Sequence, residues 1–198
     1  GEVMESASVD VPVGENFRPD EWEVSAQSAS APRVGGDGGA VTGGKAMAFG
    51  LARSNPRAKR WHRDPGSEAR LIEAMAYIVG TIHGQGFARI FATNTFTRHT
   101  ADHESVRTLG REIVEKGFAI LNDDLADRSY LAGDFTVADP VLFYVEFWAD
   151  KTGIPLPDNL ARHYRNMLAR PTVQRVLREE GYNPDTLGRL QAEHASVA

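Results

Sequence analysis

The sequence contains no cysteine, so disulfides, thiolate metal ligands and a thiol nucleophile supplied by the chain are all excluded. Long apolar runs are missing too. The most apolar stretch, residues 140–148, is broken by Glu146 and falls far short of the roughly 20 residues that cross a bilayer. The first ten residues carry acids where a secretory leader has a basic start and an apolar centre, so the expected compartment is the cytosol. Basic charge is not in excess. Lys and Arg number 22 against 27 Asp and Glu, a net charge of −5, which gives no reason to expect nucleic acid as a partner.

What is present suffices for a core: 198 residues, 41% hydrophobic, with nine Phe, five Tyr and three Trp. Charge and small residues are unevenly spread. Residues 1–40 hold 8 acids and 2 bases, whereas residues 41–198 are nearly balanced at 19 and 20. Residues 25–50 are dominated by Ser, Ala and Gly, with seven glycines between Gly35 and Gly50. Such a stretch loses much entropy on folding and offers few side chains to bury, so by itself it reads as loop or linker.

Beyond residue 65 apolar residues recur three and four apart, the helical period, and neither a strand pattern nor an internal repeat is found. Ser67 is placed to cap a helix over residues 68 to about 91, with Leu71, Ile72, Met75, Ile78, Val79 and Ile82 as its apolar stripe. Gly80, Gly84 and Gly86 weaken its second half and predict a bend or a close approach. A second helix is predicted over about 101–127, capped by Thr100, with Val106, Leu109, Ile113, Ile120 and Leu121 facing inward. A third, over 137 to about 151, is apolar nearly all round and is expected to be the most buried. Asp158 is placed to cap a fourth that stops before Pro171, and Gly181 to close a fifth containing Val173, Val176 and Leu177.

The strongest local signal is Gly133-Asp134-Phe135-Thr136-Val137-Ala138-Asp139. Thr136 suits a helix N-cap, and Asp139, three residues on, can reach back to the Thr136 N–H, which makes a capping box with Asp in the usual Glu place. Its role is assigned to folding. Phe135 holds the position of a hydrophobic staple, but Pro140 stands at the partner position.

Together with Tyr130, Leu131 and Ala132 before it, this run resembles the helical-domain signature of the glutathione S-transferase family. Leu142, Phe143 and Trp148 follow the spacing of bacterial members, and Asn159-Leu160, Tyr164, Ala169-Arg170-Pro171 and Val173 resemble the family's closing helices. Arg70-Leu71-Ile72-Glu73 and Ile82-His83 resemble the first long helix of the same domain. The resemblance implies an all-helical C-terminal bundle over residues 67–183, preceded by an incomplete thioredoxin-like α/β domain over 1–61 and a linker over 62–66, and followed by a polar tail over 184–198.

It also implies a glutathione site. Pro32 takes the place of the family's cis-proline, whose neighbouring backbone meets the glutathione cysteinyl amide. Gly43 and Gly44 take the place of a Glu-Ser pair ahead of a helix whose N-terminus holds the γ-glutamyl carboxylate. The side-chain anchors are therefore gone, and losing a charge-assisted hydrogen bond typically forfeits about 1.5–3 kcal/mol. The hydroxyl or thiol that activates glutathione in the family has no counterpart in this sequence, and the chain is expected to begin after it. His83 falls on the helix facing the cleft, and Tyr77, Phe87 and Trp148, with Phe91, fit the apolar acceptor pocket that the family places between its domains. These aromatics are at helical spacing, which fits a core equally well.

The implied function is conjugation of glutathione, as co-substrate, to an apolar electrophile by a homodimeric detoxification enzyme. The alternative is a non-catalytic binding or assembly module that kept the helices and lost the chemistry. No metal is expected. His99 and His103 have ligand spacing, but no third ligand is near. The Gly35–Gly39 run lacks the Lys-Ser/Thr of a phosphate loop, and Arg57, Lys59, Arg60 and Arg63 read as a solvated linker.

Overall fold

A computed structural model of the chain describes residues 43–62 and 64–188. The chain divides into two compact units, Gly1–Ala58 and Lys59–Ala198. In the first, the described part is α1 (Gly44–Ser54), followed by a 3-10 turn at Pro56–Ala58. Gly43 stands before α1 with φ +89, a conformation that needs glycine, and no side chain caps the helix start. Asn55 closes the other end, with its backbone N–H and its side-chain amide both donating to the Leu51 carbonyl. The expected strands and loops of residues 1–42, including Pro32 and the glycine run from Gly35, lie outside the described residues.

The second unit is helical: α2 (Pro65–Tyr77), a π-helix π1 (Ile78–Phe87), α3 (Ala88–Phe91), α4 (His103–Asp124), α5 (Ala138–Thr152), α6 (Asp158–Leu168) and α7 (Pro171–Glu179). Among the described residues the only β feature is an isolated bridge between Ala132 and Asp134. The first predicted helix exists, but its cap is Asp64 and not Ser67. Asp64 accepts from the Ser67 N–H at 2.9 Å, and Pro65 takes the first position, where a missing N–H costs nothing. That hydrogen bond to the Ser67 backbone holds the Asp64 carboxyl below its usual range.

The predicted disturbance of the second half takes the form of π geometry. The Ala88 N–H reaches the carbonyl of His83, five residues back. The close approach is also found. A Cβ added at Gly86 would stand 2.6 Å from Val114, one at Gly110 would stand 2.8 Å from the Gly86 carbonyl, and one at Gly117 would stand 2.6 Å from Ile82. Helix α4 thus packs on π1 almost backbone to backbone, and Val114, Phe118 and Leu121 carry its inner face. Two residues predicted to face inward, Leu109 and Ile120, are 46% and 45% exposed, because the glycines, invisible to an apolar count, define the buried stripe. No side chain caps α4, and Thr100 begins a 3-10 turn (Thr100–Asp102) that leads into it.

The core is built from π1, α4, α5 and α6, with Ile78, Ile82, Phe87, Phe118, Leu142 and Tyr164 among its buried members. The capping box before α5 forms as expected. Asp139 Oδ2 accepts from the Thr136 N–H at 2.6 Å, and the Thr136 hydroxyl accepts from the Ala138 N–H at 3.3 Å. Phe135 does not staple. Its ring meets the guanidinium groups of Arg60 and Arg170 instead, 4.7 and 3.6 Å from its centre, and Pro140 is exposed.

Helix α6 begins at Asp158 without a cap from that residue. Asn122, at the end of α4, supplies the cap from a distance, its Oδ1 accepting from the Asn159 N–H at 2.9 Å. Gly181 closes α7 as predicted, with φ +79 and a Tyr182 N–H to Leu177 carbonyl bond of 2.8 Å. The stretch expected as tail starts packed, since Pro184 is buried and the Gly188 N–H donates to Asp150.

Candidate functional site

Two groups of chemistry-bearing side chains form in the helical unit. The first surrounds His83, midway along π1. Its Nδ1 lies 3.0 Å from the Tyr144 hydroxyl, and its ring meets Tyr144 and Trp148 edge-on at 5.7 and 5.0 Å. Trp148 in turn contacts Phe87, Phe91 and Tyr144 at 5.4, 5.2 and 5.1 Å, and Phe87 stacks on Phe91. Burial holds the His83 imidazole below its ordinary 6.5, so it is neutral at neutral pH, and burial pushes the Tyr144 hydroxyl well above its ordinary range, so it keeps its proton. The Nε2 of His83 has no hydrogen-bond partner among the described residues, and the side chain is half-buried.

Of the residues read from the sequence, the structure brings His83, Phe87 and Trp148 together. Phe87 is fully buried and supports the group from behind; Phe91, 54% exposed, offers its surface. Tyr77 lies elsewhere, packed on the core with its hydroxyl directed toward Gly117 of α4. Tyr144 was absent from the sequence-derived site. Its signal was the four-residue spacing from Trp148, which places both rings on one face of α5.

The second group is wholly interior. His163 of α6 lies with Nδ1 2.9 Å from the Glu146 carboxylate and Nε2 3.4 Å from Asp139 Oδ1, and none of the three is more than 1% exposed. Asp139 also accepts from the Leu131 N–H, so its folding role extends beyond Thr136. Burial alone would lower the His163 pKa, but Glu146 and Asp139 outweigh it and hold the imidazolium up to about 9. With no route to solvent, this group serves structure. The seven-residue interval between Asp139 and Glu146, two turns on one face of an otherwise apolar helix, was its sequence signal.

Gly43 and Gly44 stand at the open end of α1. The first helical bond there is from the Met47 N–H to the Gly43 carbonyl, no acid lies in the first turn, and Gly44, Lys45 and Ala46 are exposed. Helix N-termini of this kind favour anions. Among the described residues no set of three or more His, Asp or Glu is placed to hold a metal ion, and no helix is long and apolar enough to cross a membrane.

Residues 98–166 match the family model of the glutathione S-transferase C-terminal domain. No curated protein sequence matches the chain. Among solved structures, a glutathione transferase homologue from Sulfitobacter with bound glutathione is similar at 24% identity, with 87% of this chain and 84% of that one covered and a TM-score of 0.76. A glutathione S-transferase from Xylella fastidiosa is similar at 20% identity, with 85% and 83% covered and a TM-score of 0.76. A sphingomonad glutathione S-transferase complexed with glutathione is similar at 22% identity, with 87% and 85% covered and a TM-score of 0.72. The capping box, the helix order and this match at residues 98–166 make the helical unit similar to the C-terminal domain of the glutathione S-transferases, whose fold it shares.

Proposed function

We propose that the protein binds glutathione and conjugates it to an apolar electrophile. The observation that carries this reading is the ring group around His83, an apolar, half-exposed surface with one polar head, in a domain whose fold is that of the transferases. The open N-terminus of α1 supports it. Three unpaired backbone N–H groups and the charge of Lys45 are suited to the γ-glutamyl carboxylate, with Gly43 and Gly44 as backbone contacts. Pro32 belongs to the same proposal as the residue beside the cysteinyl amide. No residue of this chain stands in the place of the family's activating hydroxyl or thiol, so on this reading thiolate is drawn from a thiol with a free pKa near 8.5. A homodimer and a cytoplasmic, detoxifying role complete the proposal.

The second reading, a non-catalytic binding module, is favoured by the bare glycine pair at the start of α1, which offers no side-chain anchor. Calorimetric titration with glutathione separates the two. The conjugation reading expects saturable binding at about millimolar or tighter, near −4 kcal/mol or better, whereas silence at high glutathione supports the module. Restoring the family hydroxyl with Gly44→Ser is the sharper arm. A Cβ at Gly44 meets nothing within 4 Å, whereas Gly43, at φ +89, does not accept a side chain without strain. One added hydrogen bond to a charged group is worth about 1.5 kcal/mol, so affinity is expected to rise about tenfold. No gain would remove α1 from the site.

A further inference from the structure

We infer that Tyr144 is a positioning residue that fixes His83 as the Nε2–H tautomer, so that the ring meets its ligand as a neutral donor and the group it holds is a hydrogen-bond acceptor. The inference rests on His83 facing the ligand in the proposed function. A neutral imidazole has one donor and one acceptor nitrogen, and a phenol hydroxyl both donates and accepts. At 3.0 Å between Nδ1 and the Tyr144 oxygen, one of the two must supply the proton.

Among the described residues the phenol proton has no acceptor other than Nδ1. If Nδ1 carried the proton instead, the Tyr144 hydroxyl would be left without a protein acceptor among the described residues. The favourable arrangement is therefore O–H donating to Nδ1, which puts the imidazole proton on Nε2. Edge-on contacts with Trp148 at 75° and with Tyr144 at 77° hold the ring in this orientation. The π-turn adds to the geometry: His83 gives its carbonyl to Ala88, and the neighbouring Gly84 and Gln85 are exposed.

An outward N–H selects a lone pair. In the proposed reaction that is the thiolate sulfur of glutathione or an oxygen of the bound molecules; a donor such as an ammonium group is disfavoured.

The test uses the full chain with nitrogen-15-labelled histidine, reading the two ring nitrogens of His83 by long-range proton–nitrogen correlation, with the resonance assigned by His83→Asn. Wild type is expected almost wholly in the Nε2–H form, and Tyr144→Phe, which keeps the ring packing, is expected to raise the Nδ1–H form several-fold. An Nδ1–H wild type, or equal tautomer populations in the two proteins, overturns the inference. Saturating glutathione is expected to shift the Nε2–H proton downfield. The same shift with S-methylglutathione assigns the acceptor to an oxygen, and its loss assigns it to sulfur. Because the tautomer is read in the free protein, failure to bind glutathione defeats the proposed function and leaves the Tyr144 measurement to stand or fall separately.

Discussion

At the scale of single residues, the most consequential arrangement is the interior His163 with its two carboxylates. Removing one partner strands charge in the core, so His163→Phe is expected to cost about 3–5 kcal/mol, whereas Glu146→Leu with His163→Phe together should be nearly neutral. The sign of the pH dependence follows from the pKa directions. His163 is held up from 6.5 to about 9, so its stabilisation is complete below 6.5 and is lost as pH rises through about 9. Glu146 is also raised, chiefly by burial, with His163 drawing it down and Asp139 pushing it up, and a raised acid likewise surrenders stability as pH climbs. Urea unfolding at intervals between about pH 6 and about pH 10 should show wild type weakening by a few kcal/mol and the double variant changing much less. Equal slopes would mean that the titration lies elsewhere.

At the scale of elements, the contact between π1 and α4 is set by glycine. Gly110→Ala brings a methyl group 2.8 Å from the Gly86 carbonyl and 2.9 Å from Arg89 Cβ; backbone cannot yield as a flexible side chain does, so the expected loss is about 1–3 kcal/mol. Gly80→Ala is the control. Nothing lies within 4 Å of its added Cβ, and the gain in helix propensity is about 0.5–1 kcal/mol. Opposite shifts of the urea midpoint would support this division, and two losses of equal size would show that π geometry, not close approach, sets the requirement for glycine. The same contact explains which helix details could be read in advance. Helix existence followed from the period of Leu71, Met75, Ile78 and Ile82, but the inner face of α4 was misjudged because Gly110 and Gly117 occupy it without being apolar side chains.

At the scale of the whole molecule, the second unit carries its own core. The buried cluster runs from Ile78 to Tyr164, and Trp61, itself buried, donates to Glu68 of α2 within the same unit. A chain beginning at Lys59 is therefore expected to keep its helical circular-dichroism signal and a sigmoidal urea transition; a gradual, non-cooperative loss would show that residues 1–58 are needed for its fold.

The sequence by itself determined the helical class of residues beyond 65, the capping box at Thr136 and Asp139, the Gly181 stop and the family resemblance, because each is carried by residues within a few positions of one another. Partners supplied from other elements were decided only in the tertiary structure. Asn122 caps α6 across 37 positions, Tyr144 meets His83 across 61, and His163 of α6 lies between Asp139 and Glu146 of α5. Local spacing encodes periodicity and caps. Which polar atom meets which across a helix interface depends on how closely the backbones approach, and that distance is set by packing.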